Sequence, residues 1–199
     1  MIDKASKVAI VTGGSRGIGA VVAERLARDG FAVIVNYSAN AARAETLVRR
    51  IEARGGRALA ARADVSDPGA MRGMFDAAER ALGGIDVLVN NAGIMKLARV
   101  ADTDDESLDQ QIAVNLKGSF YGMREAARRL RDGGRIVNFS TSVVGTKLET
   151  YSIYAATKAA VEMMTAILAK ELRGRNITVN AVAPGAIGND RRANRVVVG

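Results

Sequence analysis

The stretch Val8-Ala9-Ile10-Val11-Thr12-Gly13-Gly14-Ser15-Arg16-Gly17-Ile18-Gly19 sets the reading of everything after it. Its first four residues are apolar and largely β-branched, the composition of a short buried strand. Glycines 13 and 14 end that run. From Ile18 onward apolar residues return at helical spacing, at Val21, Val22 and Leu26, and Gly30 stands where a helix C-cap falls. A strand, a glycine turn and a helix therefore follow one another without a linker. Glycines in such a turn let the backbone approach a pyrophosphate, and the helix N-terminus offers amide donors and a partial positive charge. The spacing is T-G-x-x-x-G-x-G, not the commoner G-x-G-x-x-G. A glycine cluster alone is equally a tight turn with no ligand. Its place directly after the first strand selects a dinucleotide, with Gly13, Ser15, Arg16, Gly17, Ile18 and Gly19 as the phosphate cradle.

Outward from this turn the chain alternates apolar runs with amphipathic stretches. Strands are expected at 8–11, 31–36, 59–65, 85–90, 135–140 and 177–182. Helices are expected at 18–28, 41–54, 68–82, 104–131 and 153–173. Ser66-Asp67-Pro68 carries a capping side chain followed by proline, a helix start. Continuous apolar strands argue for a parallel sheet buried on both faces. Strand–helix alternation with right-handed crossovers then gives an α/β, doubly wound, mostly parallel Rossmann-type sheet in the order 3-2-1-4-5-6, with helices on both faces. Residues 1–199 read as one domain, with 188–199 an atypical tail that fits neither helix nor strand.

The second strand runs into Asn36-Tyr37-Ser38, where an NAD site carries an acid for the ribose 2′-hydroxyl. No acid is present. Arg16 in the glycine turn is placed to pair with a 2′-phosphate, and Asn36 and Ser38 offer neutral hydrogen-bonding groups. A missing carboxylate and an added guanidinium favour NADP(H) over NAD(H).

Tyr154 and Lys158 stand at i and i+4, on one face of the last long helix. A free tyrosine titrates near a pKa of roughly 10, and a neighbouring ammonium favours the phenolate. The pair is a proton relay for carbonyl reduction, although the spacing by itself is weak evidence. Ser142 follows the fifth strand, at the carboxyl edge where open α/β sheets bind ligands, and its hydroxyl is placed for a substrate oxygen. Asn90-Asn91-Ala92-Gly93 ends the fourth strand at the same edge. Asn115 lies in a helical, apolar stretch and needs a partner, whether a local backbone group or the site.

Composition narrows the chemistry further. The 199 residues contain neither cysteine nor histidine, which removes disulfides, thiolate chemistry, imidazole bases and most zinc sites. No metal is expected, and a cytoplasmic location is the default. Residues 1–7 do not resemble a signal peptide, and no apolar run nears the roughly 20 residues of a membrane span. The net charge of +8 is compatible with a polyanion partner, but the arginines are scattered over many segments. A solvated basic surface without nucleic-acid or membrane binding is therefore expected.

Taken in chain order, Thr12 to Gly19, Asp64-Val65, Asn90 to Gly93, Asn115, Ser142, Tyr154 to Lys158 and Pro184-Gly185 resemble the short-chain dehydrogenase/reductase family, of the type that includes 3-oxoacyl-acyl-carrier-protein reductases. The resemblance covers residues 7 to 188. It implies that Tyr154 is the general acid in reduction and the base in oxidation, and that Ser142 polarises the carbonyl. Lys158 would lower the Tyr154 pKa and bind the nicotinamide ribose, and Asn115 would hold a relay water. Asp64 and Val65 would contact adenine, Asn91, Ala92 and Gly93 the adenosine ribose region, and Ile187 the nicotinamide amide. Pro184 and Gly185 complete the cofactor site, and Asn36, Tyr37 and Ser38 its 2′ end. The implied substrate is a small-molecule or carrier-bound carbonyl, with a 3-oxoacyl thioester as the favourite and sugar, steroid and polyketide carbonyls open. The implied assembly is a homodimer or homotetramer through the helices at 104–131 and 153–173. Relatives continue past Pro184-Gly185 with a lid segment, a helix and a final strand, so the C-terminal part reads as missing or altered. The second function reading is therefore a catalytically impaired NADP(H)-binding module.

Overall fold

The computed structural model describes residues 7–185. Six strands form one sheet: β1 Val8–Val11, β2 Ala32–Tyr37, β3 Arg57–Arg62, β4 Ile85–Asn90, β5 Leu130–Phe139 and β6 Thr178–Val182. Their order is β3-β2-β1-β4-β5-β6, and every pairing is parallel. The chain turns outward in both directions from β1, so the loops after β1 and β4 meet at the carboxyl edge, the switch point of a doubly wound sheet.

Alternate residues of the central strands feed two separate cores. Ala9, Val11, Val33, Val35, Val87 and Val89 face α1 (Gly17–Arg28) and α2 (Ala41–Glu52), which contribute Ala23, Ala27, Ala44, Leu47 and Ile51. Ile10, Ile34, Leu88 and Ile136 face α3 (Pro68–Leu82) and α5 (Gly118–Arg129), which contribute Met71, Phe75, Met123 and Ala126. Each fully buried side chain of this size contributes roughly 1.5–3 kcal/mol. Small alanines on α1 and α2 let those helices lie close on the sheet despite the scarcity of aromatics.

Helix ends follow from named side chains. Asp67 caps α3 by accepting from the Gly69 and Ala70 N–H groups at 2.6 and 3.3 Å, and Pro68 opens the first turn. Gly83 closes α3 in the left-handed region at φ 78°. Between α4 (Asp105–Gln111) and α5 the helix widens into a π turn over Ile112–Lys117. Two short or long helices follow β5: α6 (Val143–Thr146) and α7 (Ser152–Glu171).

Three sequence expectations change. The long helix at 104–131 stops at Arg129, and β5 begins at Leu130 instead of 135. The third strand spans 57–62 instead of 59–65. Burial on both faces holds for β1, β2 and β4 but not for β3, where Leu59 is 39% exposed, or for β6, where only Val179 is buried. Both lie at sheet edges among the described residues, so a helix layer covers less of them. The expected tail at 188–199 and Ile187 lie outside the described residues.

Candidate active site

The glycine turn is held from three sides. Gly13 and Gly17 adopt φ +59° and +55°, conformations that other residues rarely take. A Cβ at Gly19 would stand 2.5 Å from the Gly13 carbonyl oxygen and 2.6 Å from Asn91 Nδ2. Thr12 Oγ1 accepts from the N–H groups of Asn91 and Ala92 at 3.0 and 3.1 Å, and Asn91 Nδ2 donates to the carbonyls of Thr12 and Gly13 at 2.9 and 3.1 Å. The ends of β1 and β4 are thereby locked together. Helix α1 begins at this turn with no side-chain cap and no acid in its first turn, so its free amide donors suit an anion. Arg16, the N-cap residue, is exposed, and no acid pairs with it among the described residues. These features fit a dinucleotide pyrophosphate.

Asn36 corrects the sequence reading. Its side chain is 1% exposed and wholly engaged within the protein. Oδ1 accepts from the Gly13 N–H at 3.0 Å, and Nδ2 donates to the carbonyls of Ala63 and Ala61 at 3.0 and 3.3 Å. Asn36 therefore positions the glycine turn against β2 and β3 and has no group left for a 2′-phosphate. Tyr37 is half-buried, and Ser38 is exposed with its carbonyl held by Arg62 Nε at 3.3 Å. Asp64 is exposed, and its Oδ1 accepts from the Ser66 N–H and hydroxyl at 2.9 and 2.7 Å. Val65 is buried in the core against Gly118, so only its backbone is open to an adenine.

The acid–base groups gather on α7 and the π turn. Lys158 is 4% exposed, and its Nζ donates to the Phe139 carbonyl at 2.8 Å and lies 5.9 Å from the centroid of the Tyr154 ring. Burial lowers the Lys158 pKa to about 8. Asn115 is fully buried. Its amide exchanges hydrogen bonds with the Ile94 backbone at 2.8 and 2.9 Å and donates to Thr157 Oγ1 at 3.3 Å. Gly93 lies between these groups: a Cβ there would be 3.2 Å from Asn115 Oδ1 and 3.5 Å from Lys158 Nζ. Gly93, Asn115 and Lys158 are thus brought together at the carboxyl ends of β4 and β5.

Tyr154 departs from the expected direction. Its pKa lies above the ordinary value, because burial disfavours the phenolate; contact with the Thr141 hydroxyl partly offsets this, and Tyr151 adds to it. With the Lys158 ammonium bound to a carbonyl and burial raising the phenol's pKa, Tyr154 is protonated at neutral pH. Ser142 donates its N–H to the Pro184 carbonyl at 3.0 Å, and its Oγ would be 4.0 Å from a Cβ at Gly185. Ser142, Pro184 and Gly185 are therefore neighbours.

Asn138, Thr165, Ser140 and Glu162 lie outside the motifs of the sequence, and the first two are joined to Asn90 of the Asn90–Gly93 motif. Asn90 Nδ2 donates to Asn138 Oδ1 at 2.8 Å, and Asn138 Nδ2 donates to Thr165 Oγ1 at 2.8 Å. This buried chain crosses β4 and β5 and ends on α7. Ser140 Oγ donates to Glu162 Oε1 at 2.5 Å, one helical turn beyond Lys158. Beside the site a cleft of about 610 Å³ is lined by Val100, Leu148, Tyr151 and Ala155, with Arg99 and Lys147. Tyr151 meets the Tyr154 ring edge-on at 6.4 Å. Among the described residues no group of three or more acids could hold a metal, and no helix is long and apolar enough to cross a membrane.

A glycine turn at the switch point of a parallel sheet, with Tyr154 and the buried Lys158 at the same edge, defines a dinucleotide-binding α/β protein. The short chain dehydrogenase family model matches residues 7–196. A short-chain type dehydrogenase/reductase from Picea abies is 46% identical, over 92% of this chain and 72% of its own length. An NADPH-dependent aldehyde reductase-like chloroplastic protein from Arabidopsis thaliana is 44% identical, over 94% and 74%. The crystal structure of a short chain dehydrogenase from Burkholderia cenocepacia J2315 in complex with NADP superposes with a TM-score of 0.89 at 44% identity, covering 92% of this chain and 76% of that one. The chain belongs to the short-chain dehydrogenase/reductase family and is an oxidoreductase. It spans about three quarters of the length of these relatives.

Proposed function

We propose that this chain is an NADP(H)-dependent carbonyl reductase or alcohol dehydrogenase in which Tyr154 moves the proton. The observation that carries the reading is the half-buried Tyr154 next to the buried Lys158, whose Nζ lies beside Gly93 at the edge that also bears the glycine turn. The exposed Arg16 and the absence of an acid at the end of β2 favour the 2′-phosphorylated cofactor. The NADP-bound and NADPH-dependent relatives support the same choice.

Reduction of a carbonyl needs a hydride at carbon and a proton at oxygen; a bound dihydronicotinamide supplies the hydride. The neutral Tyr154 phenol donates the proton to the carbonyl oxygen as it becomes an alkoxide, leaving an alcohol. Lys158, cationic at neutral pH, stabilises the phenolate left behind and binds the nicotinamide ribose. Ser142 orients the carbonyl oxygen toward Tyr154. Asn115 holds the Ile94 backbone so that Gly93 can approach the cofactor; its buried side chain, bonded to Ile94 and Thr157, has no group left for the relay water that the family resemblance implied. In oxidation the same atoms run in reverse. The substrate is a small-molecule or carrier-bound carbonyl, with 3-oxoacyl thioesters among the candidates and aldehydes suggested by the reductase names of the relatives. A second copy of the chain packs on α5 and α7, whose outer Phe120, Met163 and Ile167 are 46%, 64% and 50% exposed. Sedimentation of the purified chain at dimer or tetramer mass is the expected result for that assembly.

The catalytic role is tested with Tyr154→Phe. NADPH affinity is expected to stay within about threefold of wild type while turnover falls by roughly 10²–10⁴. Retained turnover would remove Tyr154 from the mechanism.

A further inference from the structure

We propose that Arg43 is a second cation for the cofactor's 2′-phosphate, reaching it across a cleft between the glycine turn and α2. This rests on the NADP(H) reading above. The cleft encloses about 370 Å³; Ser15 of the glycine turn forms one side, and Asn40, Arg43, Thr46 and Arg50 form the other.

What each lining group is already bonded to singles out Arg43. Arg50 is ion-paired with Glu24. The Thr46 hydroxyl donates to the Ala42 carbonyl at 2.7 Å and accepts from Arg49 at 3.1 Å. Asn40 Oδ1 accepts from the Arg43 backbone N–H at 3.0 Å. Among the described residues the Arg43 guanidinium has neither an acidic partner nor a hydrogen bond, and it is exposed to the cleft. The Ser15 hydroxyl likewise has no hydrogen-bond partner there. A guanidinium fork facing a hydroxyl, with no carboxylate on the lining, is the chemistry that recognises a phosphate dianion. The placement of Arg43 also costs something without an anion. It lies in the first turn of α2, which holds no acid, and a cation there opposes the helix dipole. The cleft opens at Ser15, in the turn proposed to carry the pyrophosphate, so the phosphate it suits is the one on the adenosine ribose. With Asn36 engaged inside the fold, Arg43 joins Arg16, the residue next to Ser15, as a cation without an acidic partner among the described residues.

The test uses the full chain, titrated with NADPH and with NADH while the cofactor's fluorescence is followed. Arg43→Gln is expected to weaken NADPH binding roughly tenfold and to leave NADH within about twofold, because one charge-assisted contact is lost. Arg43→Lys should recover part of the NADPH affinity. Unchanged NADPH affinity in Arg43→Gln, or equal weakening of both cofactors, would overturn the proposal. A wild-type chain that binds NADH as tightly as NADPH would overturn it in a different way, by removing the NADP(H) reading beneath it.

Discussion

At Lys158 stability and the proposed chemistry pull in opposite directions. Burial brings its pKa from 10.5 to about 8, so the folded chain holds the ammonium less readily than the unfolded chain does. Below about pH 8 both states are protonated, and the full penalty applies, roughly 3 kcal/mol. Between about pH 8 and 10.5 the unfolded state still binds the proton while the folded state has released it, so stability rises with pH. Lys158→Met is therefore expected to melt higher than wild type at pH 7, with the gap closing as pH approaches 10.5; a gap independent of pH would contradict the assignment. Such a gain would come with lost turnover, the usual trade at a reacting centre. Asn36 shows the opposite case, a polar residue whose work is structural. Asn36→Asp removes the donor to Ala63 and sets a carboxylate against that carbonyl, and a loss of about 2–4 kcal/mol is expected in chemical denaturation, with no switch toward NADH. Tyr154, Lys158 and Asn115, which the fold brings near one another, stood out in the sequence because their spacing and context are local. Sequence reasoning misread Asn36, because a polar side chain at a strand end looks the same whether it faces a ligand or two carbonyls. It also overlooked Arg43, one scattered arginine among 29 basic residues until the cleft gave it a position.

At the scale of elements, close approach decides the geometry. A Cβ at Gly122 would collide with the Asn90 side chain, which joins β4 to Asn138 and to the Ser119 carbonyl. Gly122→Ala is expected to destabilise the chain by about 1–3 kcal/mol in urea unfolding, by pushing α5 off β4. A neutral result would mean that the helix gives way at no cost. The π turn between α4 and α5 holds Asn115 in place, and the widened backbone lets its side chain reach both Ile94 and Thr157. Periodicity foresaw one long helix here, since a single widened turn barely disturbs the apolar spacing. It foresaw the central strands well, because both of their faces are buried. It misjudged β3 and the start of β5, where edge exposure and a stretch of charged residues and glycines between 131 and 135 blur the pattern.

For the whole molecule, the sheet order follows from the strand–helix alternation and the handedness of the crossovers, and it puts the glycine turn, Gly93, Asn115, Ser142 and Lys158 along one edge. The glycine turn and the segment from Ser142 to Lys158 thus come from parts of the chain more than a hundred residues apart, held in register by β1, β4 and β5. The most direct test is NADPH oxidation by the full chain with a panel of aldehydes and ketones, run beside NADPH binding, for wild type and Tyr154→Phe. The account predicts that both proteins bind NADPH with similar affinity and that only wild type consumes it when a carbonyl is added. Carbonyl-dependent NADPH consumption by Tyr154→Phe at the wild-type rate, or no NADPH binding by wild type, would contradict it.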